Sequence, residues 1–311
     1  MQGQDVISRP GRRPVTRKAK SSLNNARDLP LLQIIRDTTF IDRKQLEILI
    51  AGRTDETNYD SRNRRIARLV ELGQLKIYPR CFSSSGRVYG ITPRGMAILG
   101  RAGLGLFRSS AYRETEATVV QMPRFLKLNQ IEIASRKAFN VLGWTRARGL
   151  RSLNRAMGRT AKQAYDSIAV IAEASDSAVQ VHLGIQYERT IKSTVRYAQI
   201  RKSLEVDNQI HGLLYFVDSE RSAVILSREM YSVTVPIGVV VVSEFQRKLA
   251  DATLRLLDGL SVVRAMAGLA PRLMGDPLSN FEQAKGPASR VPGDADGGQF
   301  LMCPGYVRGD D

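Results

Sequence analysis

Apolar residues in the first third of the chain recur at the spacing of amphipathic helices. Two short helices are predicted around residues 31–35 and 46–50, and Asp42 is placed to cap the second of them. A third helix is predicted from Asp60 or Ser61 to about residue 72, because capping residues stand at its start and a glycine follows its end. Three consecutive helices are therefore expected.

Two short segments after the third helix alternate between apolar and polar residues. Residues 74–78 and 87–91 are predicted to be the strands of a hairpin around a serine-rich loop. Thr92 and Pro93 are typical of the N-cap and the first turn of another helix. This order of elements, carried by the segment LVELGQLKIYPRCFSSSGRVYGITPRGMAIL, resembles a winged helix-turn-helix, which we predict for residues 27–102.

The third helix has two chemically different faces. Ile66, Leu69 and Val70 have the spacing of a buried stripe. Arg64 and Arg68 project from the opposite face, and a planar guanidinium can bind two acceptors on a phosphate or on a guanine edge. We predict that this helix enters the major groove of duplex DNA. The residues predicted to bind DNA are Ser61, Arg64, Arg65 and Arg68 on the helix, Arg80 and Arg87 beside the hairpin loop, and Arg12 and Arg13 near the N-terminus.

The charge of the chain favours the same partner. Its 47 Lys and Arg residues outnumber 30 Asp and Glu residues, which gives a net charge of +17. The first 110 residues alone hold 21 basic and 9 acidic residues. Double-stranded DNA is the expected partner of such a surface. Two other interpretations stay open: a helix face of arginines exposed only to solvent, and a winged helix that binds protein.

Several classes of protein are disfavoured by what the sequence lacks. No apolar run approaches the roughly 18 residues of a membrane span, and no apolar signal core is present, so a cytoplasmic protein is predicted. Cys81 and Cys303 share no CxxC spacing with another cysteine, and the two histidines are His182 and His211. No metal and no cofactor are therefore expected.

The remainder of the chain is predicted to hold an α/β domain over residues 125–262. A helix leads into strands with helices between and after them, which gives the whole chain an α+β class. The segments with the apolar composition of strands are 166–172, 179–186, 212–218, 223–226 and 237–242.

Three segments have the composition of connections or ends. Residues 1–26 are basic and almost free of apolar side chains, so they are predicted to be a disordered arm. Residues 103–124, with several glycines and serines, are predicted to be a linker. Residues 263–311 are predicted to be a flexible tail.

The segment GIQYERTIKSTVRYAQI, taken with Asp166 and the winged-helix pattern, resembles the replication-relaxation family of plasmids and integrative elements. The similarity covers about residues 28–245. It implies a second domain resembling the PD-(D/E)xK nuclease fold and a DNA-binding accessory role in plasmid replication or relaxation, mobilisation or their transcriptional control. A relaxase or a replication initiator is the protein partner that the resemblance suggests.

The nuclease pattern pairs an Asp with a Glu-x-Lys so that two carboxylates hold Mg²⁺ and the lysine orients water. Asp166 matches the first position, whereas Gln186 and Glu188 replace the glutamate and the lysine. Lys192 is placed to supply the missing cation, and Glu132 is a further carboxylate that could approach. Enzymatic activity is not the favoured expectation. The alternatives are an Mg²⁺-dependent nuclease that uses these residues and a protein-interaction scaffold of a transfer complex.

Overall fold

The computed structural model has a mixed α+β fold, with two sheets in the part of the chain that it describes. The described residues are 25–51, 58–78, 86–106, 119–158, 164–172, 180–231 and 233–255. They all lie within one compact unit, residues 1–272. The predicted tail, and the predicted arm up to residue 24, lie outside the described residues.

Four helices and three strands form the N-terminal third within these residues. The helices are α1 (Asn25–Thr38), α2 (Arg43–Ala51), α3 (Tyr59–Glu71) and α4 (Pro93–Arg101). The strands β1 (Ile41–Asp42), β2 (Leu75–Tyr78) and β3 (Val88–Ile91) form an antiparallel sheet in the order β1-β3-β2. The predicted helices and the two predicted hairpin strands are confirmed as elements.

Local side-chain chemistry sets the ends of α3. Its N-cap is Asn58 and not Asp60 or Ser61, because the Asn58 Oδ1 accepts hydrogen bonds from the backbone N–H of both residues, at 3.0 and 3.2 Å. The helix ends at Glu71, and Gly73 follows the C-cap Leu72 with a φ of +66°, which suits a residue without a Cβ. The Gly73 N–H donates to the carbonyl of Val70, and this bond closes the last turn.

The caps of the neighbouring helices follow the sequence prediction. Asp42 Oδ1 accepts from the Gln45 N–H at 2.9 Å, and Thr92 Oγ1 accepts from the Gly95 N–H at 3.2 Å, with Pro93 in the first turn. Both side chains satisfy a backbone donor that has no partner inside its helix.

The second half of the described chain contains a five-stranded sheet. Its strands are β4 (Val141–Arg146), β5 (Ser167–Ala172), β6 (Gln180–Glu188), β7 (Gly212–Val217) and β8 (Ile237–Val241), in that spatial order. The β4-β5 and β5-β6 pairs are antiparallel, whereas β6-β7 and β7-β8 are parallel. Strands β6 to β8 are almost wholly buried, as their continuous apolar sequences predict.

Helices connect and cover these strands. They are α5 (Met122–Ala138), α6 (Ala147–Ala156), α7 (Thr194–Glu205), α8 (Glu220–Glu229) and α9 (Val242–Lys248), and a 3-10 turn, Leu249–Asp251, follows α9. Helices α7 and α8 make the crossovers that two parallel strand pairs require. The apolar segment 223–226 lies inside α8 and is not a strand, because Ser219 caps a helix there through the Ser222 N–H.

Helix α5 joins the two halves of the described chain. It begins at Met122, inside the predicted linker, and Ile133 on this helix packs into the apolar core of α1 to α4. The Asn129 side chain donates to the carbonyl of Phe40 at 2.8 Å, and the Gln45 side chain donates to the carbonyl of Leu126 at 2.8 Å. These contacts fix α5 against the N-terminal third.

A buried ion pair then fixes α5 against the second sheet. Glu132 Oε2 lies 2.5 Å from Arg146 Nη2 at the end of β4, and both side chains are more than nine-tenths buried. Arg136 holds the other oxygen of Glu132 at 3.0 Å, and Arg146 also donates to Asn129 at 2.9 Å. Each polar group of this cluster therefore has a partner, as burial requires.

None of the helices in the described ranges combines the length and the apolar composition that crossing a membrane demands.

Candidate nucleic-acid interface

Three arginines of α3, Arg64, Arg65 and Arg68, line a shallow depression of about 340 Å³ together with Ser61. Arg64 is the exposed member, and its Nε donates only a long bond of 3.4 Å to the carbonyl of Asp60. Three guanidinium groups within one small surface make the depression strongly cationic. We call the four lining residues the α3 stripe: Ser61, Arg64, Arg65 and Arg68.

Two arginines of the α3 stripe are held by a buried carboxylate that the sequence pattern did not reveal. Asp28 on α1 is completely buried, and its Oδ2 lies 2.5 Å from Arg68 Nη2. The Arg65 Nε lies 3.9 Å from Asp28 Oδ1. A helical wheel did not predict the pairing of Arg68 with Asp28, because it shows the face on which a residue lies but not which distant residue packs beside it.

The start of α3 is also fixed to α2. The Arg43 guanidinium donates to Asn63 Oδ1 at 3.0 Å and to the hydroxyl of Tyr59, and it lies over the Tyr59 ring. Arg43 pairs with Glu47 one turn later in α2, at 3.1 Å. The spacing of Arg43 and Glu47, four residues apart on one helix, was the available sequence signal for this ion pair. The contacts of Arg43 with Tyr59 and Asn63 fix the first turns of α3 against α2.

The hairpin places one predicted DNA contact within the described residues. Arg87 is exposed immediately before β3, whose pairing with β2 is regular from Leu75 opposite Ile91 to Tyr78 opposite Val88. Arg80 and the rest of the hairpin loop, residues 79–85, lie outside the described residues, as do Arg12 and Arg13. The structure therefore brings together Arg64, Arg65, Arg68 and Ser61, and it leaves Arg87 at the base of the hairpin.

Asp166 lies at the start of β5, where the predicted nuclease pattern places an acidic residue. The register pairs Ser167 with Ile185, so Asp166 stands beside Gln186 on the neighbouring strand. The Tyr187 N–H donates to Asp166 Oδ2 at 2.9 Å. The sheet therefore does bring the first two residues of the predicted pattern together.

The guanidinium of Arg124, which no sequence motif marks, binds this carboxylate. Arg124 Nη2, from the first turn of α5, lies 2.6 and 2.7 Å from the two oxygens of Asp166 and donates to the carbonyl of Tyr187 at 3.3 Å. Three oxygens thus converge on one cationic nitrogen. Arg151 is a second cation near Asp166; burial and then repulsion from Arg155 lower its pKa, while the charge of Asp166 raises it.

Glu188 is paired as well. It is 5% exposed at the end of β6 and forms an ion pair with Lys192, so the i, i+4 contact between these two predicted residues is present. Burial raises the pKa of Glu188, and the hydrogen bond and charge of Lys192 oppose that rise. Both oxygens of Glu132, the further carboxylate named from the sequence, bind arginines, namely Arg136 and Arg146.

The arrangement does not fit Mg²⁺, the ion that the family resemblance implies for a nuclease. Mg²⁺ prefers several oxygen ligands that include carboxylates not already neutralised. The carboxylate of Asp166 forms an ion pair with Arg124, and the carboxylate of Glu188 forms one with Lys192. Gln186 offers only an uncharged amide. Across the described ranges, no group of three or more His, Cys, Asp or Glu side chains is placed to hold a metal ion.

Comparison of the chain with protein-family models, with curated proteins and with solved structures gave no match.

The raised pKa of Glu188 predicts a pH-dependent difference between the parent protein and Glu188→Gln. A folded-state pKa above the unfolded value means that protonation favours folding, so this contribution is fully present below the unfolded pKa and is lost as the pH rises through the folded pKa. We expect the parent to lose stability relative to the variant as the pH rises from the ordinary unfolded pKa of a glutamate, about 4.3, through its higher folded pKa. Urea unfolding of both proteins across this range measures the difference, and a parent that gains stability relative to the variant would contradict the assigned environment.

Proposed function

We propose that this chain is a DNA-binding protein whose N-terminal third is a winged helix-turn-helix. The support is the order of α1, β1, α2, α3, β2, β3 and α4 around an antiparallel β1-β3-β2 sheet. The observation that carries the proposal is the cationic depression of the α3 stripe, fixed on its scaffold by Asp28 and Arg43. Preorganised guanidinium groups suit phosphates and guanine edges.

The contacts of the α3 stripe divide its members between two roles. Arg64, which is exposed, is free to fork onto a base edge in the major groove. Arg65 and Arg68 direct one side of their guanidinium groups at Asp28. Each therefore has fewer N–H donors left to bind a base edge. We assign these two residues to phosphate oxygens, which position the protein without specifying sequence.

The biological setting of this proposal rests on the resemblance to the replication-relaxation family. We propose an accessory role on the DNA of a mobile element, in replication, mobilisation or their transcriptional control. Each of these settings requires a protein that recognises a DNA site.

Selection of duplexes from a random pool by the full chain tests the proposal. We expect enrichment of a shared sequence, since direct readout discriminates each base pair by about 1 to 3 kcal/mol. If the winged helix instead binds protein, which is the competing function, no DNA sequence should be enriched. If the protein does not bind random-sequence duplex at all, any DNA-binding role is contradicted.

For the second half we propose a core resembling the PD-(D/E)xK nuclease fold without its catalytic metal. Three antiparallel strands, a crossover helix and a parallel strand support the likeness of fold. The pairing of Asp166 with Arg124 and of Glu188 with Lys192 supports the absence of nuclease chemistry, because each carboxylate already has a cation.

We accordingly expect no cleavage of supercoiled plasmid by the purified protein in Mg²⁺ or Mn²⁺. Gln186 removes one negative charge that a metal would need, and Glu188 replaces the cation that would stabilise charge developing on phosphate. Agarose gels measure the conversion of supercoiled plasmid to nicked circles. The Asp166→Ala variant is assayed in parallel as the control. Metal-dependent nicking by the parent that disappears in the variant would instead establish the nuclease.

A further inference from the structure

A groove of about 530 Å³ lies between α2, α5 and the end of α9, and it shares no lining residue with the α3 stripe. Its floor is apolar: Ile48, Pro123, Leu126 and Leu249 line it, and Ile48 is 47% exposed on α2. A large aliphatic side chain that is open to solvent inside a concave site is a surface that gains free energy when a partner covers it.

The rim of the groove is basic. Lys44, Lys127 and Lys137 stand on α2 and α5, and none of them forms an ion pair with another residue in the described part of the chain. Asp42, the carboxylate among the described lining residues, is buried and accepts the Gln45 N–H at the start of α2. Three lysines therefore line the groove, and the one acidic residue among its described lining residues is buried.

The length of the groove fits a helical segment. Its lining residues on α5 extend from Pro123 to Lys137, and 14 intervals at about 1.5 Å per residue span about 21 Å. A helix of about 14 residues has the same length. Gln130 and Gln246, which lie 3.3 Å apart by their side-chain amides, add polar groups along the wall.

We propose that this groove binds an acidic amphipathic segment of a partner protein. Apolar side chains on one face of the segment cover Ile48 and Leu126, as in other helix-in-groove complexes, and flanking carboxylates meet Lys44, Lys127 and Lys137. A protein segment is favoured over duplex DNA because the outer surface of a duplex is phosphate and sugar, which would leave the apolar floor uncovered. The site is separate from the α3 stripe, so it does not depend on DNA binding.

The test is selection of random peptides of about 16 residues, displayed on phage, by the immobilised full chain. The variant K44E/K127E/K137E serves for counter-selection. We expect enriched peptides to combine apolar residues at helical i, i+3, i+4 and i+7 spacing with several Asp or Glu residues. A synthetic peptide of the consensus sequence should then bind the parent protein in fluorescence anisotropy.

Two variants and one control identify the site of binding. K44E/K127E/K137E and I48D should each weaken binding of the consensus peptide by about tenfold or more. Lys202→Glu, a charge reversal at an exposed lysine of α7, should leave the affinity unchanged and so separates the groove from general attraction to a basic protein. Circular dichroism of each variant verifies that it folds like the parent.

The proposal is overturned if no enriched peptide depends on the groove residues, or if the enriched peptides carry no excess of acidic residues. It is overturned equally if the lysine variant loses affinity for random-sequence duplex while every selected peptide still binds it. In that outcome the three lysines belong to a DNA surface.

Discussion

Glu132→Ala should lower the free energy of unfolding by about 3–5 kcal/mol, the largest single effect on stability that we expect. The carboxylate and its partner Arg146 are both more than nine-tenths buried, so water cannot take the place of the missing charge. The variant leaves a buried guanidinium whose remaining partner in this cluster is Asn129. It also releases β4 from α5, the helix that joins the two sheets.

Urea unfolding followed by far-ultraviolet circular dichroism measures this change. Glu244→Ala is the matched control, because Glu244 also pairs with a cation, Lys248, but at the surface of α9. Exposed pairs of this kind contribute about 0–1 kcal/mol, so the control should unfold nearly like the parent. A loss below about 1 kcal/mol for Glu132→Ala would mean that the cluster does not hold α5 against the sheet.

Arg64→Ala should weaken binding to the selected DNA sequence by about 5- to 150-fold, which corresponds to about 1 to 3 kcal/mol for a bidentate base contact. Its affinity for random duplex should fall far less, so the discrimination between the two duplexes is lost. Arg228→Ala removes an equally charged, exposed side chain from α8 and controls for net charge.

Arg68→Ala should behave differently from Arg64→Ala. Because Arg68 is held by Asp28, we expect its loss to reduce affinity for both duplexes alike, together with some loss of stability. Competition titrations with the selected and the random duplex separate the two patterns. If Arg64→Ala leaves both the preferred sequence and its affinity unchanged, α3 is not the recognition helix.

The elements near α3 were predictable because their signals are local. Asp42, Thr92 and Gly73 mark helix ends within a few residues of the bonds that they make. Asn58 was overlooked because Asp60 and Ser61 are equally good caps by residue type, and only the backbone decides among neighbours. The start of α5 also had a local signal, Pro123 in its first turn, which the glycine and serine content of the preceding segment obscured.

The partners of the candidate site residues were not predictable in this way. Arg68 meets Asp28 across 40 positions of sequence, and Arg124 meets Asp166 across 42. Such contacts depend on how helices and strands pack against one another. The charge of an arginine alone does not indicate which of the many carboxylates in the chain it will pair with. The sequence therefore predicted which residues share a helix face or a strand end, but not which cations neutralise them.

Titration of a labelled random-sequence duplex at several salt concentrations tests whether this chain binds DNA through its phosphates. A protein that neutralises several phosphates releases their counterions, so log Kd should rise linearly with log salt, with a slope of about 0.9 for each phosphate contacted. We predict measurable binding at about 50 mM salt and a slope of several units. Undetectable binding at that salt concentration, or an affinity that salt does not change, would contradict the account.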